Sequence, residues 1–566
     1  MLSAFLRNCP CTLVLILCLG ASGCKLRTFP QSARQAKSSY EAAAVSARLR
    51  QIAAVGKLSD LHWPDFPDYR LDFELFYEAS NYSAVWLNNG QPTPQALAIV
   101  QELEASRQKG LNPDDYDASL WEGRIVALHG STKADTQARF DAALTVNVMR
   151  YVSDLHIGRV NSKHFHFDID VEQKKYNLPQ FLIQNVVRAT NVQAVLDEIE
   201  PPYAGYKRTE MALQQYLLLA AKGDGPQVPE VKKTIAPGDT YPGIAQLAQR
   251  LELLGDLSQV DAPDMHSLLY TGALVSAVKL FQERHGLVPD GKLGKVTIHQ
   301  LNVPLSSRVR QLQDALERWR WLPPSFPQPP VVVNLPEFVL RVFSANHTVT
   351  LRMNVVVGKA VRHQTPVFAQ NMRYIIFRPY WNVPRSIVRS EIIPAILKNR
   401  NYIANKRFEV IDSSGNIVTR GTISDAVLAQ LRAGKLSIRQ RPGPDNSLGL
   451  VKFLFPNQHS VYLHGTPATQ LFSQSRRDFS HGCIRVQKPA ELAAYLLRDQ
   501  PPWTLEKVQE AMQSGTDDRQ INLEVPVPVL ILYITAVVAE DGSVHFFDDI
   551  YGHDKSLEAL LAKGQP

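Results

Sequence analysis

The run VVVNLPEFVLRVF, Val331 to Phe343, opens a change of texture in this 566-residue chain. It is followed by TVTLRMNVVVG (348–358) and RYIIFRPYWNV (373–383). All three are rich in β-branched and aromatic residues and alternate apolar with polar, which predicts strands. Residues 385–432 read as partly helical, and strand texture resumes at Val451. The last apolar run, VPVPVLILYITAVV (525–538), holds two prolines and is too short to span a membrane. It reads as a buried strand of the same β-rich domain.

Upstream of Val331 the patterns are helical. The Pro-rich break LPPSFPQPP (322–330) separates the two textures. Before it lies a compact helical unit, 241–303, containing ALVSAVKLFQERHGLVPDGKLGKVTIHQLN. Leu274, Val278 and Phe281 form one helical stripe there, Pro289-Asp290-Gly291 is a turn, and Thr297 and Leu301 lie on a closing helix. GDGPQVPEVKKTIAPGD (223–239) is a linker. A mostly helical region, 40–222, precedes it. In TPQALAIVQELEASRQKG, Thr93 caps a helix that Gly110 ends, and RFDAALTVNVMRYVSDLHIG is a second helix. Residues 25–39 are polar and read as a tether. The fold class is multidomain α+β, with no internal repeat.

Charged residues make up 20% of the chain and apolar ones 45%, which excludes wholesale disorder. The net charge of +7 is modest and reads as spread along the chain. That points to mild attraction to an anionic envelope and not to nucleic acid. Residues 1–24 have a charged start, a short apolar middle and small residues ending in Cys24, the pattern of a secretory signal. Gly20-Ala21-Ser22-Gly23-Cys24 is similar to a bacterial lipoprotein cleavage site. Cys24 is therefore a candidate lipid anchor, against ordinary cleavage as the alternative. The expected location is the periplasm or cell envelope.

Export makes the remaining thiol conspicuous. Four of the five cysteines fall in the first 24 residues, and the fifth is Cys483, in SHGCIRV (480–486). An unpaired exported thiol is either an inert small hydrophobe or a reactive group. VYLHGTP (461–467) places His464 at the end of a strand, a base able to convert a thiol to a thiolate. Gly482 lets the backbone turn, so that its N–H groups face a developing oxyanion. In an extended stretch Cys483 and Arg485 share one face while Ile484 and Val486 face the core, and Arg485 is placed to grip a carboxylate. His481 is nearer in sequence and competes with His464 as the base.

The compound pattern His464-Gly465-Thr466 followed by Ser480-His481-Gly482-Cys483 resembles the signature of the L,D-transpeptidases, with their YkuD-like catalytic domain. The unit at 241–303 resembles a peptidoglycan-binding domain. FYEASNYSAVWLNNGQPTPQALAIVQELEASRQKGLNPDDY (76–116) and YVSDLHIGRV (151–160) are similar to the helical scaffold domain of the large, YcbB-type members. YWNVPRSI (380–387) and RQRPGPDNSLG (439–449) are similar to segments flanking their capping subdomain. The resemblance implies a catalytic domain at 330–552 with a capping insertion at about 385–450. Cys483 is then the nucleophile and His464 the general base. Ser480, His481 and Gly482 become the wall and oxyanion side, Arg485 holds substrate, and Trp381 and Asn382 line the donor groove or serve as core and strand-edge residues.

The implied reaction is acyl transfer from a peptidoglycan tetrapeptide stem through a cysteinyl thioester to the side-chain amine of a neighbouring stem, giving a 3-3 cross-link. It needs no metal or organic cofactor, and carbapenems acylate the same cysteine. An L,D-carboxypeptidase, transfer to a lysine of an envelope protein, and a non-catalytic wall-binding lipoprotein are the alternatives. SKHFHFDID (162–170) sets His164, His166, Asp168 and Asp170 on one face of a candidate strand, either a metal site or a polar face. His459 reads as a surface residue.

Overall fold

The computed structural model describes residues 31–563, apart from 130, 132, 166, 259–267 and 347. The signal segment, Cys24 and His166 lie outside the described residues.

The β-branched runs pair into one large sheet. Its strands are β1 (Val331–Asn334), β2 (Val339–Phe343), β3 (Val349–Gly358), β4 (Phe368–Phe377), β9 (Val451–Leu454), β10 (Leu463–His464), β11 (Asp478–Ser480), β12 (Ile484–Val486) and β13 (Arg519–Leu532). They run in the order β11-β3-β12-β10-β9-β4-β13-β1-β2, and β2 also pairs with β3. That second pairing closes all but β11 into a ring and removes most of the exposed edge. Alternate residues fill the interior: Val331, Val333, Leu340, Val342, Val355, Val357, Ile375, Phe377, Phe453, Leu463 and Ile484 are all below 1% exposed. Each such side chain stabilises the fold by roughly 1.5–3 kcal/mol relative to exposure.

The run 525–538 is not one strand. Val525 is exposed, and pairing of β13 with β4 shifts register between Asn522 and Val527. Only Val527 onward is buried between β4 and β1, up to Leu532. Ala536–Val538 (β14) then forms a separate hairpin with Val544–Phe546 (β15). The two prolines sit at and beside the break, where a ladder hydrogen bond is already lost.

Helix α1 (Gln31–Val55) begins inside the segment read as a tether. With α2 (Arg70–Ala79), α3 (Pro94–Glu104) and the central α4 (Ala134–Ile157) it encloses a core from Val45 to Leu196. The Thr93 hydroxyl caps α3 by accepting from the Ala96 N–H, and Gly110 takes up the left-handed turn after it. Helix α5 (Ala204–Lys222) turns its buried face elsewhere: Tyr206, Leu213 and Tyr216 join the core of the large sheet, together with α9 (Leu305–Arg320). The segment 160–171 does the same through Phe167, Ile169 and Val171.

The unit between them contains α6 (Ile244–Leu254), α7 (Ala273–Arg284) and α8 (Lys295–Leu301) around Leu274, Val278, Phe281 and Leu301. Gln282 ties its turn: the side chain accepts from the Gly291 N–H at 2.8 Å and donates to the Lys292 carbonyl at 2.9 Å. Arg284 grips Asp256 with two hydrogen bonds and donates to the Val544 carbonyl at 2.6 Å, which docks this unit on the β14–β15 hairpin.

Between β4 and β9 the chain builds a cap. Strands β5 (Trp381–Asn382), β6 (Phe408–Ile411), β7 (Ile417–Thr419) and β8 (Ser437–Gln440) form a second sheet in the order β5-β8-β6-β7. Helix α10 (Asp425–Ala433) and Ile387, Ile396, Ile403, Val410, Leu428 and Ile438 give the cap its own core. From Arg385 to Arg441 it carries eight Arg and three Lys against two Glu and two Asp. This surplus of seven equals the +7 of the whole chain. The positive charge therefore sits in the cap and is not spread along the chain.

Candidate active site

Three adjacent strands place one row of polar side chains on the sheet. Lys452 of β9 is paired with His464 of β10, and His464 with Arg485 of β12. Residues paired across neighbouring strands share a face. Their neighbours Val451, Phe453, Leu463, Ile484 and Val486 are buried in the core. The alternation leaves Lys452, His464 and Arg485 on the opposite face, with Cys483 just ahead of β12.

The turn carrying Cys483 is stitched from several directions. Gly482 has φ +117°, a left-handed backbone that favours glycine. The Ser480 hydroxyl donates to the Cys483 carbonyl at 2.5 Å and accepts from the Gly482 N–H at 3.0 Å. The Gly482 N–H is therefore occupied and does not face an oxyanion, contrary to the expectation from sequence. The Cys483 N–H has no backbone or side-chain acceptor among the described residues.

Beneath the turn, the buried Thr365 hydroxyl donates to the Gly482 carbonyl at 2.8 Å and accepts from the Gly358 N–H at 2.9 Å. Tyr551, just ahead of helix α11 (His553–Leu561), donates to the Gly358 carbonyl at 2.6 Å. A Cβ on Gly358 would lie 1.9 Å from the His363 carbonyl oxygen, so only glycine fits.

Cys483 is a free, half-buried thiol. Its Sγ donates to the Ser460 carbonyl at 3.8 Å. Burial pushes the thiol pKa up, while the backbone and hydroxyl of Tyr462 and the charges of Lys452 and Arg485 oppose that rise. The His464 ring is buried, with Nδ1 2.6 Å from the Gly465 carbonyl. A nitrogen that close to a carbonyl oxygen carries the proton, which leaves Nε2 as the basic atom. Burial, then the Arg485 charge, hold the pKa down to about 3, with Lys452 adding to the effect and the Gly465 and Leu448 backbones opposing it. Both shifts favour the neutral forms, imidazole and thiol.

His481 points away from this row. Its Nε2 is 2.6 Å from Glu391 Oε1 in the cap, and its ring meets His363 edge-on at 4.9 Å. It links the Cys483 turn to the cap. Trp381 packs against Phe408 in the cap, with ring centroids 6.1 Å apart, and Asn382 is exposed on the edge strand. His459 is half-buried, not a surface residue, with its ring 5.2 Å from Phe368.

Ser162–Phe165 is a 3-10 turn instead of a strand. Asp168 bridges to Phe368, and its carboxylate accepts from Gln458 at 3.3 Å. Among the described residues no three His, Cys, Asp or Glu side chains gather as a metal site. No helix among them is long and apolar enough to cross a membrane.

Cys483, His464 and Arg485 stand out in the sequence, whereas Lys452, Tyr462 and Thr365, which lie around them in the structure, do not. Tyr462 stands two residues before His464 and lay within reach of a period-two reading. Lys452 and Thr365 depend on strand register and on contacts distant in sequence.

Residues 329–523 match the family model for the L,D-transpeptidase catalytic domain (YkuD). Residues 72–213 match a scaffold domain, and 240–301 match a domain described as a "putative peptidoglycan binding domain". The chain thus carries an L,D-transpeptidase catalytic domain joined to a scaffold domain and a peptidoglycan-binding domain.

A curated relative from Haemophilus influenzae named "Putative L,D-transpeptidase" is 30% identical over 227 residues. The match covers 40% of this chain and 45% of the relative, so this chain spans under half the length of the curated relative it matches. An L,D-transpeptidase structure from Xylanimonas cellulosilytica is 17% identical, covering 54% of this chain and 100% of that one, at a TM-score of 0.18. One from Stackebrandtia nassauensis is 14% identical, covering 54% and 96%, at 0.20.

Proposed function

We propose that the protein is a peptidoglycan L,D-transpeptidase that forms 3-3 cross-links through a thioester on Cys483. The observation that carries this reading is the β10–β12 pairing, which sets His464 beside the strand that Cys483 leads, inside the matched catalytic domain. The thiol leaves the Ser460 carbonyl and gives its proton to His464 Nε2. Sγ then attacks the carbonyl of the third stem residue, a diaminopimelate. The Cys483 N–H is the free donor for the oxyanion. The carbon–nitrogen bond to the terminal D-Ala breaks, and His464 returns the proton to the departing amine. The amine of a second diaminopimelate attacks the thioester, His464 takes its proton, and Cys483 leaves as thiol.

The burial-raised thiol pKa and the low His464 pKa favour this concerted proton transfer over a standing thiolate–imidazolium pair. Ser480 and Gly482 shape the turn, His481 forms the wall toward the cap, Arg485 holds the donor, and Trp381 and Asn382 are the candidates for contacts along the donor. Carbapenems acylate the same sulfur.

The functional units are a scaffold at 40–222, a peptidoglycan-binding domain at 241–303 and a catalytic domain at 330–552, exported to the envelope behind residues 1–24 and anchored through Cys24. The test is incubation of the soluble protein with disaccharide-tetrapeptide and mass analysis of the products, alongside Cys483→Ala and His464→Ala. A cross-linked dimer lacking one D-Ala, absent with both variants, supports the reading. Tripeptide alone indicates a carboxypeptidase, and neither product indicates a wall-binding protein without activity.

A further inference from the structure

The row Lys452–His464–Arg485 has a feature that the cysteine chemistry leaves unused. A base flanked on both sides by cations is a poorer base, because each cation disfavours the imidazolium. Neither cation is paired with an anion among the described residues. Among the described residues Lys452 makes no ion pair and no hydrogen bond. Its Nζ sits 4.1 Å from the centroid of the Tyr462 ring, and Cys483 and Asp518 act on it only through their fields. Arg485 likewise has no acceptor among the described residues, and its Nε is buried without a partner. By contrast Arg284 is paired with Asp256, Arg318 with Asp554 and Arg341 with Glu337. Two partly buried cations without acceptors, both beside the reacting thiol, make a receptor for an anion that arrives from outside.

We propose that Lys452 and Arg485 together form a carboxylate receptor that straddles His464 and recognises the terminal carboxylate of the donor stem. The inference rests on the transpeptidase reading. In such a donor the carboxylate carbon lies two bonds beyond the scissile nitrogen, so it must sit close to the atoms that Cys483 and His464 act upon. A donor one residue longer carries its carboxylate about 3.3–3.6 Å further out, beyond the row. The receptor therefore sets donor length as well as charge. A bound carboxylate also offsets the positive field at His464, so the imidazole becomes a stronger base when a correct donor is in place.

The test compares a tetrapeptide donor ending in a free carboxylate with the same peptide ending in an amide. Binding is measured to the Cys483→Ala protein, and kcat/KM to the protein with Cys483 intact, each with and without Lys452→Met. Two charge-assisted contacts predict an acid-over-amide preference of about 10- to 100-fold. Lys452→Met is expected to cut that ratio at least fivefold, and Lys452→Arg to keep most of it. A variant that lowers both donors by one common factor shows a structural role for Lys452 and overturns the proposal. Equal binding of acid and amide by Cys483→Ala overturns it too. An acid preference in binding with no turnover by the Cys483 protein leaves the receptor standing and sinks the transpeptidase reading instead.

Discussion

Replacing Thr365 by Val removes one hydroxyl and almost no volume, yet it strips partners from two buried backbone groups. The Gly358 N–H loses its 2.9 Å acceptor and the Gly482 carbonyl its 2.8 Å donor. An unsatisfied buried group costs roughly 1–3 kcal/mol, so the pair amounts to about 2–6 kcal/mol. In a domain of this size 1 kcal/mol shifts Tm by about 2–4 °C, which predicts a fall of roughly 4–24 °C. Function is expected to suffer more. Gly482 holds its left-handed turn immediately before Cys483, and a displacement of about 1 Å there is expected to cost on the order of 100-fold in acylation of that thiol.

The assay is calorimetry of the full chain, with hydrogen exchange over 358–377 to assign the transition and intact-mass kinetics of Cys483 acylation by a carbapenem. Thr365→Ser is the control and is expected to restore most of both. A Tm within 2 °C of the parent, together with an unchanged acylation rate, would refute the claim that this hydroxyl positions the turn.

Three further outcomes follow from the same geometry. The His464 pKa of about 3 lies below the ordinary 6.5, so the imidazole stays deprotonated as the medium is acidified. kcat/KM is expected to stay flat from pH 8 down to about pH 5, and a half-maximal point near pH 6.5 would contradict it. The same depression makes His464 a source of stability that is complete above pH 6.5 and lost as pH falls toward 3. Gly358→Ala drives a Cβ to 1.9 Å from a carbonyl oxygen and is expected to destabilise the β domain by at least about 3 kcal/mol, read as loss of soluble protein or of its thermal transition. The cap's surplus of seven positive charges predicts salt-sensitive capture of anionic stems. Raising NaCl from about 50 to 500 mM should slow the anionic donor several-fold and leave alkylation by neutral iodoacetamide nearly unchanged.

The parts of the fold that read directly from sequence are those where period and burial coincide locally. Val331–Phe343 alternates as a strand and forms two, and Thr93 and Gly110 bracket their helix as read. Ile484 and Val486 are buried and leave Arg485 on the other face. What stayed hidden depends on register or on distant chain. Lys452 is an ordinary lysine in a short strand until β9 is aligned with β10. Thr365 supports Gly482 from 117 positions away. The occupied Gly482 N–H follows from a Ser480 rotamer that no local pattern specifies. The cap's charge was countable in the sequence, but only once its bounds were known could it be set against the rest of the chain.

The central claim is that Cys483 carries the donor as a thioester. The most direct measurement is acid-quenched intact-mass spectrometry of the protein mixed with disaccharide-tetrapeptide, with peptide mapping of the adduct. The account predicts an increment equal to the disaccharide-tripeptide acyl group, located on the peptide containing Cys483, released by hydroxylamine and absent in Cys483→Ala. Cross-linked product formed by a protein that never carries this adduct, or an adduct mapped to another residue, would contradict it.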